Sequence, residues 1–222
     1  AKLLINIFIE SYKNPPKELT FDFDATDAKI YGNQENKYFH GYYDDYCFLP
    51  LYVFCGHKLL VSYLRPSWKD PAHHCGIIIK LLVKRLRQVW PDVKITIRAD
   101  SGFCRHKILD WCDNNNVQYV VGIARNNRIT EKAQEIIAQA KKEFEQNGTK
   151  VRNFDEITYA ALTWSRERRV IVKAEHLLKG ENTRYLVTNI TDITPQELYD
   201  NFYTPRGDME NSIKEQQLAL FA

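Results

Sequence analysis

A mixed α/β fold is predicted by the order of hydrophobic patterns along the chain, and three observations carry that prediction. Residues 19–27, LTFDFDATD, alternate apolar and acidic side chains with the period of two expected of a strand. Residues 73–90 place Ile77, Leu81, Leu82, Leu86 and Val89 on one helical stripe, with Lys80, Lys84, Arg85 and Arg87 largely off it. Short apolar runs at 93–99 (VKITIRA) and 117–124 (VQYVVGIA) have strand length. With 222 residues, 44% hydrophobic and 27% charged, the chain can bury a sizeable core and does not have the composition of a disordered segment.

The elements follow in order. In 19–27, Leu19, Phe21 and Phe23 face one way while Asp22 and Asp24 face the other. A turn-rich stretch, YGNQENKYFHG, leads to strand-like runs at 46–54 and 58–64, and Gly56 between them predicts a hairpin. Pro50 belongs at an edge or a bulge because it cannot donate to a ladder. Pro91 ends the helix at 73–90, and the strand at 93–99 then delivers Asp100 at its C-terminal end. A second helix is read over 103–115, a buried strand over 117–124, and a third helix over 130–146 that Asn147-Gly148 stops. Strands at 157–164, 168–174 and 184–190 come next, then a helix at 195–202 opened by Thr194 and Pro195, then a last helix from near Arg206.

Three strands, helix, strand, helix, strand is the path of a ribonuclease H-like mixed sheet flanked by helices. The predicted organisation is a first part of that core at 19–129, a helix plus β-rich insert at 130–194, and a return to the core at 195–222 with the last helix. The chain starts with Ala and stops within a helical pattern, LALFA, so it reads as a piece of a longer protein.

Composition narrows the function classes. No apolar run approaches the ~18 residues of a membrane span, and the N-terminal AKLLINIFIE has no cleavage site of a signal peptide. A net charge of +3 with pI near 8.5 falls short of the pI above about 9 usual for a dedicated DNA-binding module. Five cysteines without a C-x-x-C pair suggest neither a disulfide framework nor a zinc site, which fits a reducing, cytoplasmic setting. His73-His74-Cys75 is not read as a metal site, because adjacent side chains diverge and no partner cluster is visible.

Phosphoryl transfer by two metal ions needs carboxylates from separate elements, meeting where ions ~3.5–4 Å apart can be bridged. In a ribonuclease H-like sheet the first and fourth strands lie side by side, which brings the Asp24 and Asp100 positions together. A third ligand is then expected from a late helix, where Glu210 stands. With 28 acidic residues, pattern alone leaves Asp22 and Asp27 as alternatives to Asp24. On the last helix Arg206, Glu210, Ile213, Lys214 and Gln217 share a broad face, with Ile213 and Leu220 as expected anchors. Arg206 and Lys214 flank Glu210 and suit a carboxylate or a DNA phosphate.

FDFDATD, RADSGF and YTPRGDMENSIKEQQ, taken together, resemble the DDE transposases of bacterial insertion sequences, in the branch whose last helix carries Tyr-x2-Arg-x3-Glu-x6-Lys. Tyr203, Arg206 and Glu210 reproduce the first three positions, but Gln217 stands where the lysine is expected, with Lys214 one turn earlier. Asp24-Ala25-Thr26 resembles the family's Asp-Ser-Thr element, which favours Asp24 over its neighbours, and Asp100 resembles the second aspartate. The 110-residue gap from Asp100 to Glu210 suits a β-rich insert before the last helix.

The resemblance, covering about 19–222, implies metal ligation by Asp24, Asp100 and Glu210 with two Mg²⁺ or Mn²⁺ ions. It implies cutting of double-stranded DNA at element ends, joining to a target, a homodimer in the DNA complex, and a bacterial, nucleoid-associated setting. Tyr203, Arg206 and Lys214 would meet DNA. Trp164, beside Arg166, Arg168 and Arg169, is read either as stacking on an unpaired base while the arginines hold phosphates, or as a half-buried strand aromatic. A structure-specific nuclease of the same fold, or an inactive DNA-binding remnant, are the rival functions.

Overall fold

The computed structural model describes residues 2–221, with side chains as far as Gln217, so Leu220 lies outside the described side chains. In chain order the elements are α1 (Lys2–Glu10), β1 (Glu18–Ala25), β2 (Ala28–Lys29), β3 (Tyr38–His40), β4 (Asp45–Phe48), β5 (Leu51–Cys55), β6 (Lys58–Tyr63), α2 (Cys75–Val89) and β7 (Lys94–Ala99). After a 3-10 turn at Ser101–Phe103 come α3 (His106–Asn114), β8 (Gln118–Ile123), α4 (Asn127–Lys132), α5 (Gln134–Asn147), β9 (Val151–Tyr159), β10 (Arg168–Leu177), β11 (Gly180–Glu181) and β12 (Arg184–Thr188). The short α6 (Pro195–Glu197) runs into a π-helical segment, Leu198–Tyr203, a 3-10 turn, Thr204–Arg206, and α7 (Gly207–Phe221). The mixed α/β class is as the sequence predicts. Among the described residues no helix is long and apolar enough to cross a membrane.

The chain folds into two compact units, residues 1–99 with 206–222, and residues 100–205. In the first unit the strand order is β7-β1-β5-β6. β1 is parallel to β7 and antiparallel to β5, so the first and fourth strands of the sequence reading are neighbours. The β5–β6 hairpin turns at Gly56, whose φ of 56° is the left-handed conformation that favours glycine. Phe21, Phe23, Leu51, Val53 and Leu60 are buried along these strands, and β7 adds Ile95 and Ile97.

The predicted strand at 46–54 is two strands. β4 belongs to a separate small sheet of order β2-β4-β3, and β5 to the larger one. Pro50 stands at the break, consistent with its lack of an N–H. The helix α2 also differs from its predicted stripe: Ile79, Leu82, Val83 and Leu86 are buried, while Ile77 and Leu81 are exposed. This helix carries apolar residues around more than one face, so tertiary partners choose which face is buried. Arg65, fully buried, donates from Nε to the Leu49 carbonyl at 2.9 Å and from Nη1 to the carbonyls of Pro71 at 2.9 Å and His73 at 2.8 Å, which ties the segment ahead of α2 in place.

In the second unit the order is β11-β10-β12-β8, with β9 on β10. β12 pairs antiparallel with β8, so the β-rich segment continues from β8 and is not a detached sheet. The predicted strand at 157–164 is displaced: β9 spans Val151–Tyr159, and Trp164 lies beyond it, before β10. Most of β9 is half-buried or exposed, so it carries no apolar run to mark it. The predicted cap at Thr194 is present as a capping box with Glu197, but its α-helix ends at Glu197 and gives way to the π segment.

Candidate active site

Within the first unit, the alternation in β1 puts Asp22 and Asp24 on one face, and their surroundings divide their roles. Asp22 is 3% exposed and lies directly opposite Arg98 of β7. Arg98 Nε donates to Asp22 Oδ1 at 2.5 Å and Nη2 to Oδ2 at 2.8 Å. Burial pushes the Asp22 carboxyl above the usual range, against the pull of Arg98. Both Asp22 oxygens are thus taken up inside the unit, which separates it from Asp24.

Asp24 Oδ1 accepts from the Ala25 N–H at 3.0 Å, and Oδ2 is 3.7 Å from Arg206 Nη1. Arg206 Nη2 is in turn 3.7 Å from Glu210 Oε1. One guanidinium therefore stands near both Asp24 and Glu210. The helix that carries Glu210 is held to the strands: Met209 and Ile213 pack on Tyr52 and Phe54, and Tyr52 is the β5 partner of Asp24. Gln217, at the expected lysine position, donates from Nε2 to the Asp27 carbonyl at 3.0 Å. Its amide pins α7 to the chain just past β1. Lys214 is exposed on the same helix. Tyr43 leans on this region as well; burial, with Asp27 and Asp24 nearby, pushes its hydroxyl up to about 12.

In the second unit Asp100 follows the last residue of β7 and caps the 3-10 turn, its Oδ1 accepting from the Gly102 N–H at 2.7 Å. The cap fixes the direction of the carboxylate through Oδ1. Tyr203 closes the π segment and packs against the cluster of Val120, Ile171, Leu186, Ile190 and Leu198, its ring 5.8 Å from that of Tyr199. Trp164 is half-buried, edge-on to Tyr159 at 5.6 Å.

Arg168 departs from its predicted role. Its side chain is 2% exposed, with Nη2 2.5 Å from Asp110 Oδ1 and 3.0 Å from Asp113 Oδ2, and Nε donating to Tyr119 Oη at 3.0 Å. Its guanidinium also lies 5.2 Å from the Trp164 ring centre. A cation so enclosed is part of the fold and is not available to a phosphate. Arg166, 57% exposed with a 2.6 Å contact to Asp113, stays on the surface.

The donors proposed by the sequence are all hard carboxylate oxygens, the kind Mg²⁺ and Mn²⁺ take. Among the described residues no group of three or more His, Cys, Asp or Glu side chains is gathered to hold a metal. What the first unit does provide is a cationic group near both of its candidate ligands, which is the charge that two acids in proximity require.

A family model described as Transposase DDE domain group 1 matches residues 1–222. The chain belongs to the DDE transposases. Among solved structures, the piggyBac transposase, determined by cryo-EM as a synaptic complex with hairpin DNA, matches 96% of this chain at 14% identity and a TM-score of 0.45. The DDE domain covers 43% of that chain, less than half its length. No curated protein matches.

Sequence reasoning missed three features of this DDE domain. The Asp22–Arg98 pair joins residues 76 positions apart, and only the one-for-one register of two parallel strands reveals it. The role of Gln217 was hidden because its acceptor is a backbone carbonyl. The buried Arg168 network had a visible signal in Asp110 and Asp113, three apart on α3, but nothing local linked them to β10.

Proposed function

We propose that this chain is the catalytic domain of a transposase that cuts double-stranded DNA at the ends of a mobile element and joins the freed 3′-hydroxyls to a target. Asp24, Asp100 and Glu210 are the ligands in this reading. The observation that supports it is the parallel register of β1 and β7, which runs as far as Phe23 opposite Ala99; Asp24 follows Phe23 within β1, and Asp100 is the residue after the last of β7. The Arg206 link between Asp24 and Glu210 supports the third ligand.

Two Mg²⁺ or Mn²⁺ ions, when bound, would lower the pKa of the attacking water or 3′-hydroxyl and stabilise the leaving oxygen. The chain's own residues do the rest. The Asp100 cap orients that carboxylate before any ligand arrives. Asp22 and Arg98 tie β1 to β7, and Gln217 holds the helix of Glu210. Tyr203, Arg206 and Lys214 meet the DNA backbone in this reading, with Trp164 and Arg166 at the insert and Arg168 left out. The domain acts as one half of a homodimer on paired ends, in the bacterial insertion-sequence setting the motifs resemble.

The test is metal-dependent nicking of an element-end duplex. Asp24→Ala, Asp100→Ala and Glu210→Ala are each expected to lower the rate by about a hundredfold or more while end binding persists. Cutting that survives in all three variants overturns the site. A target plasmid in the same reaction separates transposition from hydrolysis, since a nuclease yields cut ends and no joined product.

A further inference from the structure

Gly122 stands inside β8, between buried Val121 and half-buried Ile123, and pairs with Leu186. Glycine in a strand interior weakens the strand unless it marks a bulge or a close approach of backbone. The left-handed conformation is not the reason here, because the φ of Gly122 is not positive. Space is the reason. A Cβ on Gly122 would lie 2.8 Å from the Ser101 backbone nitrogen, 3.2 Å from the Asp100 carbonyl carbon and 3.3 Å from Tyr203 Oη.

We infer that Gly122 is a positioning residue for the Asp100 carboxylate, an inference that rests on Asp100 being a metal ligand. The missing side chain leaves a notch that three groups share. Two of them are backbone atoms of the Asp100–Ser101 peptide, which cannot swing aside as a side-chain end can. That peptide opens the 3-10 turn whose first N–H bonds return to Asp100, and buried Phe103 anchors the turn's other end. A methyl group in the notch therefore displaces the peptide, and the capped carboxylate moves with it. The Tyr203 hydroxyl reaches the same notch, so glycine also lets the tyrosine of the Tyr-x2-Arg-x3-Glu motif approach the second aspartate.

The test compares Gly122→Ala, Val121→Ala and Asp100→Asn in the whole chain. Thermal unfolding reads stability, and electron paramagnetic resonance of added Mn²⁺ reads metal binding without activity. Gly122→Ala is expected to melt cooperatively and to weaken Mn²⁺ binding by about tenfold, the scale of changes in groups that orient metal ligands. It should also nick DNA better with Mn²⁺ than with Mg²⁺, because Mg²⁺ tolerates displaced ligands less well. Val121→Ala, which trims a buried neighbour, is expected to lose stability and keep Mn²⁺ affinity.

Gly122→Ala that binds Mn²⁺ like the unsubstituted chain, or weakens it no more than Val121→Ala does, overturns the inference. Failure of Gly122→Ala to fold also overturns it, since the glycine would then serve the sheet and not the carboxylate. Asp100→Asn separates the two levels: unchanged Mn²⁺ binding there sinks the proposed site itself, whereas loss there with none in Gly122→Ala sinks only the role of Gly122.

Discussion

Glu175, buried on β10, receives hydrogen bonds from Lys150 Nζ at 2.8 Å, Lys173 Nζ at 3.0 Å and Asn182 Nδ2 at 2.6 Å. Burial alone would push its carboxyl up, but Lys150, Lys173 and Asn182 outweigh that and bring it from 4.5 to about 2. A depressed carboxylate contributes its stability fully above the unfolded value, and that contribution is lost as pH falls through about 2. Glu175→Gln is expected to cost about 3 kcal/mol near neutral pH, because Lys173 stays buried without its partner charge. Thermal melts from pH 6 downward check the sign: the gap between the two proteins should narrow between pH 4.5 and about 2. A constant gap across that window contradicts the role given to Glu175. The same scale explains why the sequence could not choose among Asp22, Asp24 and Asp27. Alternation assigns a face, but only the presence of Arg98 opposite Asp22 shows which acid is already engaged.

At the scale of elements, the described residues of α7 attach to its unit through the apolar contact of Met209 and Ile213 with Tyr52 and Phe54 and through the Gln217 hydrogen bond to Asp27. Gln217→Ala should cost about 1 kcal/mol, the usual worth of one such bond. Urea unfolding checks that figure, and no change in midpoint would assign the anchoring to the apolar contact alone. The start of α7 near Arg206 is legible from motif spacing, which is local. It did not show that Tyr203, Arg206 and Glu210 lie on a π segment, a 3-10 turn and an α-helix in succession. Residues three and seven apart share a face on a continuous α-helix, and changes of helical pitch remove that rule. β9 was misplaced for a related reason: its side chains are mostly half-exposed, so the stronger apolar run at its C-terminal end drew the assignment past Tyr159.

For the whole molecule, legibility followed sequence distance. The β5–β6 hairpin, the stop at Pro91 and the cap at Thr194 rest on neighbours within a few residues, and each was readable. The small β2-β4-β3 sheet was not, because strands of two to four residues carry too little pattern and are defined by their partners. The motif order identified the family because it samples the chain at three distant places. The acids themselves divide between the two compact units, Asp24 and Glu210 in one and Asp100 at the first residue of the other. The proposed function requires that all three serve one metal centre. The most direct measurement replaces Mg²⁺ with Fe²⁺, adds ascorbate and peroxide, and maps where the radicals cut the polypeptide. Cuts clustered beside Asp24, Asp100 and Glu210 together, suppressed by excess Mg²⁺, are the predicted result. Cuts beside only one of the three, or at sites remote from all of them, would contradict it.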